Sequence, residues 1–165
     1  MALSYIPVIN KEQISHLAVI ANQVWHEHFI SILSMDQIDY MVDKFQSEPA
    51  ITDQIENQSY QYFLLDLNGV CIGYTGIKPD GDKLFLSKLY LLKEYRGKGY
   101  ASRTFEFLEG LCLGMGWNTI WLTVNRFNDN TIKVYEKKGF ETIRTQVSDI
   151  GNGFVMDDYI MEKRL

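Results

Sequence analysis

The segment of this sequence best suited to bind an anion is a short basic turn that reads RGKG at positions 96–99. It lies between an apolar run that ends at Leu91 and a helical pattern that begins near Tyr100. The first amides of a helix lack intrahelical partners and carry partial positive charge, and glycines let phosphate oxygens approach the backbone. The spacing matches neither the P-loop nor the GxGxxG of a dinucleotide fold. The turn therefore predicts a phosphate site of another kind, with a plain surface turn as the alternative.

The charge around this turn has one predominant sign. Between positions 83 and 103 the only acid is Glu94. The basic residues of the same stretch are Lys83, Lys88, Lys93, Arg96, Lys98 and Arg103. Such a stretch suits a polyanionic ligand, because clustered cations raise the local concentration of anions. A solvated basic face is the alternative interpretation.

The elements that must position the turn follow from the hydrophobic pattern. Apolar spacing over residues 11–45 predicts two helices, after which the period changes to that of strands. Turns at 68–69 and 80–82 link three strands into an antiparallel meander. A helix that ends near Gly114 then crosses to a buried strand, which makes that strand parallel to the one before Arg96. The predicted strands cover 62–67, 70–78, 84–91, 119–124, 140–147 and 154–162, and a further helix covers about 128–139.

These elements predict an α+β fold with α/β character, in which helices flank a mixed, mostly antiparallel sheet. The chain of 165 residues has neither repeats nor a linker-like composition, which predicts one domain over residues 1–165. Cys71 and Cys112 form no CxxC pair, so both are predicted to stay reduced. Cys112 falls on the apolar stripe of its helix and is predicted to be a core thiol.

The composition argues against several classes of protein. A net charge of −5 argues against a nucleic-acid partner, because affinity for the phosphate backbone needs surplus Lys and Arg. Residues 1–13 lack the pattern of a signal peptide, and no apolar stretch approaches the ~18 residues of a spanning helix. We therefore expect a cytoplasmic protein without a membrane partner. His16, His26 and His28 lack metal-ligand spacing, so no metal site is predicted.

Two motifs of this sequence resemble those of the GNAT superfamily of N-acetyltransferases. The run RGKGYA at 96–101 resembles the superfamily's pyrophosphate loop, (Q/R)xxGx(G/A). The run NxxTxxxYxxxGF at 128–140 resembles NxxAxxxYxxxGF, at the expected distance and in the expected order. The departures are Thr131, where alanine is usual, and Ala101, where glycine is commoner. The resemblance covers roughly residues 60–162, and its type is that of bacterial spermidine and polyamine N-acetyltransferases.

The resemblance implies that acetyl-coenzyme A is the co-substrate and that an amine attacks its acetyl group directly, without a metal or a covalent enzyme intermediate. It implies that strand 84–91 splays from its parallel neighbour and that coenzyme A lies in the cleft between them. Leu89 and Leu91 would bind the pantetheine arm, and an amide near Leu91 would polarise the thioester carbonyl. Asn128 would bind the arm from the opposite wall. The amides that would hold the pyrophosphate belong to Arg96, Gly97, Lys98, Gly99, Tyr100, Ala101 and Ser102.

The resemblance implies Tyr135 as the general acid that protonates the departing thiolate, and a tyrosine that only packs is the alternative. Many relatives that acetylate polyamines carry a glutamate four residues before the position of Leu91. This sequence has Ser87 there, which is too weak a base to replace it. Capture of the small neutral fraction of the amine would need no base. The candidates for a base that acts through water are Glu27, His28 and Asp158.

The distribution of acids suggests the acceptor. Residues 27–66 carry eight acids against Lys44 as the single basic residue. In the resembling family the early helices and the last hairpin wall the acceptor pocket, so an acidic wall favours a small cationic amine such as a polyamine or diamine. Acids on the solvent side of amphipathic helices are the alternative. The residues proposed to line the acceptor pocket are Trp25, Glu27, Phe29, Tyr40 and Asp158.

Other functions stay open at this point. The acceptor could instead be the N-terminus or a lysine of a peptide or protein, or an aminoglycoside. A different class is a non-catalytic regulator that binds acyl-coenzyme A, which the absence of glutamate at 87 keeps open. The homodimer that is common among relatives is left open too.

Overall fold

Seven strands and five α-helices make up the computed structural model, which describes residues 2–165. The strands are β1 (Leu3–Pro7), β2 (Gln61–Leu67), β3 (Val70–Asp80), β4 (Lys83–Leu91), β5 (Thr119–Asn125), β6 (Glu141–Gly151) and β7 (Phe154–Arg164). The helices are α1 (Lys11–Phe29), α2 (Met35–Gln46), α3 (Glu48–Asn57), α4 (Tyr100–Met115) and α5 (Asp129–Lys137). A short 3-10 turn, Lys93–Tyr95, links β4 to the basic turn.

The strands form one open sheet in the order β1-β2-β3-β4-β5-β7-β6. The pair β4 and β5 is parallel, and the other neighbours are antiparallel. The predicted fold class, a mixed and mostly antiparallel sheet flanked by helices, is confirmed. The parallel pair is the one that a helical crossover, α4, connects.

The pair β4 and β5 separates halfway along its length. Register holds from Lys83 opposite Thr119 to Leu86 opposite Leu122, and no pairing follows. A β-bulge begins at the next residue of β4. Gly76 of β3 pairs with Lys88 and Ile77 pairs with Leu86, so Ser87 is an extra residue without a partner on β3. A bulge bends its strand and increases its twist, so it accounts for the turn of β4 away from β5. The result is a wedge-shaped opening between two strands.

The sequence pattern missed two elements near the N-terminus. It predicted two helices there, whereas the structure has β1 and then three helices. β1 is five residues long and largely exposed, and it depends on pairing with β2 for its stability. A separate α3 begins because the Ser47 side chain accepts a hydrogen bond from the Ala50 amide, which caps a new helix directly after α2.

The apolar side chains pack on both faces of the sheet. One core lies beneath α1, α2 and α3 and contains Trp25, Tyr62 and Tyr74. The other lies beneath α4 and α5 and contains Leu108 and Cys112, which is fully buried as the sequence predicted. Both cysteines are unpaired. The opening between β4 and β5 is thereby held between two packed layers.

Candidate active site

A cavity of about 330 Å³ lies beside the basic turn, where β4 has left β5. We call it the loop cleft. Gly97 and Gly99 line it with φ angles of +72° and +87°, a backbone region that L side chains rarely adopt. Apart from the adjoining residues, a Cβ atom on either glycine would have no heavy atom of the protein within 4 Å, so hydrogen in that place keeps the backbone open to a ligand.

The amides at the start of α4 are available to an anion. Gly99 is the N-cap of α4, and it provides no side chain to bond the first amides of the helix. Tyr100, Ala101 and Ser102 carry these amides and line the loop cleft. Unsatisfied amides at a helix N-terminus favour negative charge, so this geometry fits a phosphate group.

Arg96 supplies fixed positive charge to the loop cleft. Its Nε donates a hydrogen bond of 3.1 Å to the Leu91 carbonyl, which fixes the guanidinium across the end of β4. Its Nη2 is buried, and no partner for it is found within residues 2–165. A buried guanidinium donor without an acceptor costs free energy, so this nitrogen marks where an acceptor atom of a ligand would bind.

The structure brings most of the predicted cofactor-binding residues together. The predicted residues that line the loop cleft are Leu89, Leu91, Arg96, Gly97, Gly99, Tyr100, Ala101, Ser102 and Tyr135. Lys98 is exposed, and its Nζ lies 5.9 Å from the centroid of the Tyr95 ring. Asn128 is buried and lines a different cavity, described next.

A second cavity, of about 380 Å³, lies on the side of α1 and α2, and we call it the helix cavity. Trp25, Phe29 and Asp158 line it, as expected of acceptor residues. Two other predicted acceptor residues lie outside both cavities. The Tyr40 hydroxyl donates to the Ile150 carbonyl at 2.7 Å, and Glu27 Oε1 accepts from the Lys93 amide at 3.2 Å.

The two cavities share four lining residues, His28, Tyr90, Thr131 and Tyr135. Tyr135 on α5 is half-buried, and burial raises the pKa of its phenol to about 12. Its hydroxyl is therefore a neutral proton donor at physiological pH. A side chain that lines both cavities can act on a reacting group held where the two cavities meet.

His28 lines the same two cavities as Tyr135 and is held neutral. Burial first, and the nearby Arg96 charge second, lower the pKa of its imidazole to about 4. Asn128 Nδ2 donates a hydrogen bond of 2.8 Å to His28 Nε2. The motif residue Asn128 therefore orients an imidazole from α1, a partner that lies 100 positions away in the sequence and that no local pattern indicates.

Asp158 is the acid that the structure places inside the helix cavity. It is 9% exposed, and its Oδ1 is buried with no hydrogen-bond partner in the described part of the chain. Burial, and then the neighbouring Asp157, raise the pKa of its carboxyl to about 6. Asp157 itself pairs with Arg126 at 3.2 Å. Asp158 is left with an open oxygen that can accept a proton near neutral pH.

The acids of α2 lie elsewhere. Asp36, Asp39 and Asp43 are exposed, and neither cavity includes them. Asp39 accepts a hydrogen bond of 2.6 Å from the His26 ring, also on the surface. These side chains therefore form a solvated helix face, which was the alternative interpretation of the acidic stretch.

Lys88 also departs from its expected place. The sequence groups it with the basic residues around the turn, whereas its side chain lines the helix cavity. Periodicity could not place it there, because strict alternation along β4 would put it on the face of Leu84 and Leu86. The extra residue Ser87 shifts that alternation by one position.

The described residues contain neither a metal-binding cluster nor a helix able to span a membrane. Across positions 2–165, no group of three or more His, Cys, Asp or Glu side chains could hold a metal ion. None of the helices in the same range combines the length and the apolar character needed to cross a membrane.

Comparisons with known proteins agree with this geometry. Residues 23–140 match the model of the acetyltransferase (GNAT) family. An uncharacterized N-acetyltransferase of Mycobacterium tuberculosis is 32% identical over 99 residues, which is 59% of this chain and 63% of that protein. The chain thus spans less than two thirds of the length of this relative.

Solved structures show the same fold. A PaiA N-acetyltransferase from Thermoplasma acidophilum, in complex with coenzyme A, superimposes with a TM-score of 0.81 over 100% of both chains at 22% identity. A chimera of spermidine N-acetyltransferase from Vibrio cholerae and hSSAT superimposes with a TM-score of 0.72 over 99% of this chain and 96% of that one, at 16% identity. At these identities the likeness establishes the fold alone.

Proposed function

The chain belongs to the acetyltransferase (GNAT) family, and on that premise we propose that it transfers the acetyl group of acetyl-coenzyme A to the primary amine of a small acceptor. The observation that carries the proposal is that two cavities meet at Tyr135. The loop cleft has the open amides, glycines and guanidinium suited to phosphates. The helix cavity holds a carboxylate suited to an amine. We further propose that residues 1–165 act as one acetyltransferase domain.

The Leu91 amide is the proposed donor to the thioester carbonyl. The Leu92 amide donates to Ile72 of β3 at 2.9 Å, and neighbouring amides of an extended chain point in opposite directions. The Leu91 amide therefore points away from β3, toward the side where pairing with β5 has ended. A donor aimed at the developing oxyanion there lowers the barrier without any movement of the chain.

Two side chains divide the proton transfers in the proposed mechanism. Asp158 accepts a proton from the attacking ammonium, directly or through water, because its open Oδ1 lies in the helix cavity. Tyr135 donates a proton to the departing thiolate at the junction of the cavities. The neutral His28 lets the amine approach without a like charge beside it.

Changing Asp158 to Asn should lower kcat/KM, because the proposed base is lost while the shape of the side chain is kept. In the wild type, kcat/KM should fall as pH drops through about 6, where this carboxyl takes up its proton. That limb should be absent from the Asn variant. The measurement is a pH-rate profile from pH 5 to 8 at saturating acetyl-coenzyme A. If the variant keeps the acid limb, another titratable group causes that limb and Asp158 is not the base.

The same variant should be more stable at neutral pH. The folded pKa of Asp158 lies above its ordinary value of 3.8, so folding favours the protonated carboxyl and stability falls as pH rises from about 4 to 6. Asp158→Asn should therefore raise Tm at pH 7.5 and have little effect near pH 4. Asp149→Asn is the control, since Asp149 is exposed and an asparagine can still accept the Gly151 amide.

Fewer residues support a cationic acceptor than the acidic stretch at 27–66 indicated. With the α2 acids in solvent, Asp158 is what supports a cationic acceptor. A polyamine, the candidate favoured by the sequence resemblance, would place one ammonium at Asp158 and would bring its other ammonium into a cavity that also contains Lys88. A polyamine is thus a candidate acceptor within the proposed activity, although the cavity that would receive it also contains a like charge.

The test of the proposed function is release of coenzyme A from acetyl-coenzyme A in the presence of a panel of primary amines. We expect acceptor-dependent release that follows saturation kinetics. Binding of acetyl-coenzyme A by calorimetry, with no release for any small amine, peptide or aminoglycoside, would instead favour a non-catalytic regulator. Failure to bind acetyl-coenzyme A at all would overturn the proposal.

A further inference from the structure

Lys88 is placed in the helix cavity by the bulge in β4. Ser87 is the extra residue, so Ser87 and Lys88 follow one another on the same side of the strand, and both line the helix cavity. On either side of the bulge the alternation is regular: Leu84 and Leu86 pack toward α4, and Tyr90 packs toward α1. Under strict alternation along β4, without the bulge, Lys88 would point into the apolar core beneath α4.

The ammonium of Lys88 has spare hydrogen-bonding capacity. Its Nζ donates to Ser87 Oγ at 2.6 Å, and within residues 2–165 no other hydrogen bond or ion pair is found for it. An ammonium has three donors, so two are left for a ligand. Burial lowers the pKa of Lys88 to about 8, the direction expected for a cation that is not balanced by an acid.

The helix cavity therefore presents one cation and one anion at neutral pH. Its lining contains two further kinds of titratable group, the neutral His28 and the phenols of three tyrosines. Lys88 and Asp158 do not pair with each other, since no ion pair joins them among the described residues. Opposite charges held apart in one cavity match a ligand that carries both signs itself.

We propose, on the basis of the function proposed above, that the acceptor is a primary amine that also carries a carboxylate, with its amine at Asp158 and its carboxylate at Lys88. Lys88 lies three residues from Leu91 along β4, about 10 Å for an extended strand. The carboxylate is thereby held away from the acetyl group, and the amine is directed to the junction with the loop cleft. Lys88 is in this proposal a residue that determines substrate specificity.

The test uses pairs of acceptors that differ only in the distal group. We would compare 5-aminopentanoate with 1,4-diaminobutane, 4-aminobutyrate with 1,3-diaminopropane, and alanine with ethylamine, at pH 7.5. In at least one pair the carboxylate member should have a kcat/KM higher by about tenfold or more, since a hydrogen bond between charged groups is worth ~1.5–3 kcal/mol. A diamine or plain amine that equals or exceeds its partner in every pair would overturn the inference.

The variant Lys88→Met keeps the length of the side chain and removes its charge. It should abolish the advantage of the carboxylate member by lowering its kcat/KM about tenfold or more. Lys11→Met is the matched control, because Lys11 is exposed at the start of α1 and lies outside both cavities. An advantage that survives in Lys88→Met would also overturn the inference, even if the wild type shows it.

Failure of this inference can be told from failure of the proposed function. If coenzyme A is released with diamines but carboxylates give no advantage, the acetyltransferase stands and the inference about Lys88 falls, in favour of a polyamine. If no amine in the panel releases coenzyme A, the proposed function itself is contradicted, and the inference with it.

Discussion

Replacing Tyr135 with phenylalanine should lower kcat by about 10²-fold, the lower end of what a positioned general acid contributes. The phenol belongs to both cavities, and its pKa of about 12 keeps it protonated. The hydroxyl matters when the thiolate departs, so the affinity for acetyl-coenzyme A should change little. The measurements are kcat under conditions where chemistry is rate-limiting and the Kd of acetyl-coenzyme A by calorimetry.

The control for this variant is Tyr5→Phe. Tyr5 is also half-buried, bonds Thr104 at 3.3 Å and stacks on Phe107, outside both cavities. Loss of the Tyr5 hydroxyl should leave kcat unchanged. If Tyr135→Phe retains the kcat of the wild type, Tyr135 is not the general acid. It is then a packing tyrosine, whose ring contacts Phe105 and Phe140.

Replacing Gly99 with tryptophan should weaken acetyl-coenzyme A binding by about 10²-fold or more, because two or more charge-assisted hydrogen bonds of ~1.5–3 kcal/mol each would be lost. Gly99 lines the loop cleft, and its Cβ position is open space. An indole there would fill the volume over the first amides of α4 without displacing other atoms of the protein. Calorimetry with acetyl-coenzyme A measures the effect.

Gly69→Trp separates this steric effect from backbone strain. Gly69 has a φ of +88°, against +87° for Gly99, and its Cβ position is equally open. It lies in the turn between β2 and β3, far along the chain from the loop cleft. Both variants should lose similar stability, and only Gly99→Trp should lose affinity. Equal affinities in the two variants would remove the phosphate site from the basic turn.

The fold could be predicted from the sequence wherever local pattern and pairing agree. The strands of the meander and the crossover through α4 were predicted, because alternation and turn residues are short-range signals. β1 was missed because it has five residues with little burial, and its stability comes from pairing with a strand more than fifty positions away. α3 was missed because it buries Ile51 alone, which leaves a faint apolar stripe.

For the candidate site, sequence pattern was enough to predict the parts whose residues are close neighbours in the chain. Gly97, Gly99 and the first amides of α4 all lie within positions 97–102, so their geometry follows from a turn and a helix start. Which charges meet in the helix cavity depends instead on packing between elements that are distant in the chain. The face of the α2 acids depends on how that helix packs, and the face of Lys88 depends on the bulge that pairing with β3 places at Ser87. One inserted residue reverses the side to which every later side chain of a strand points, and strict alternation does not anticipate it.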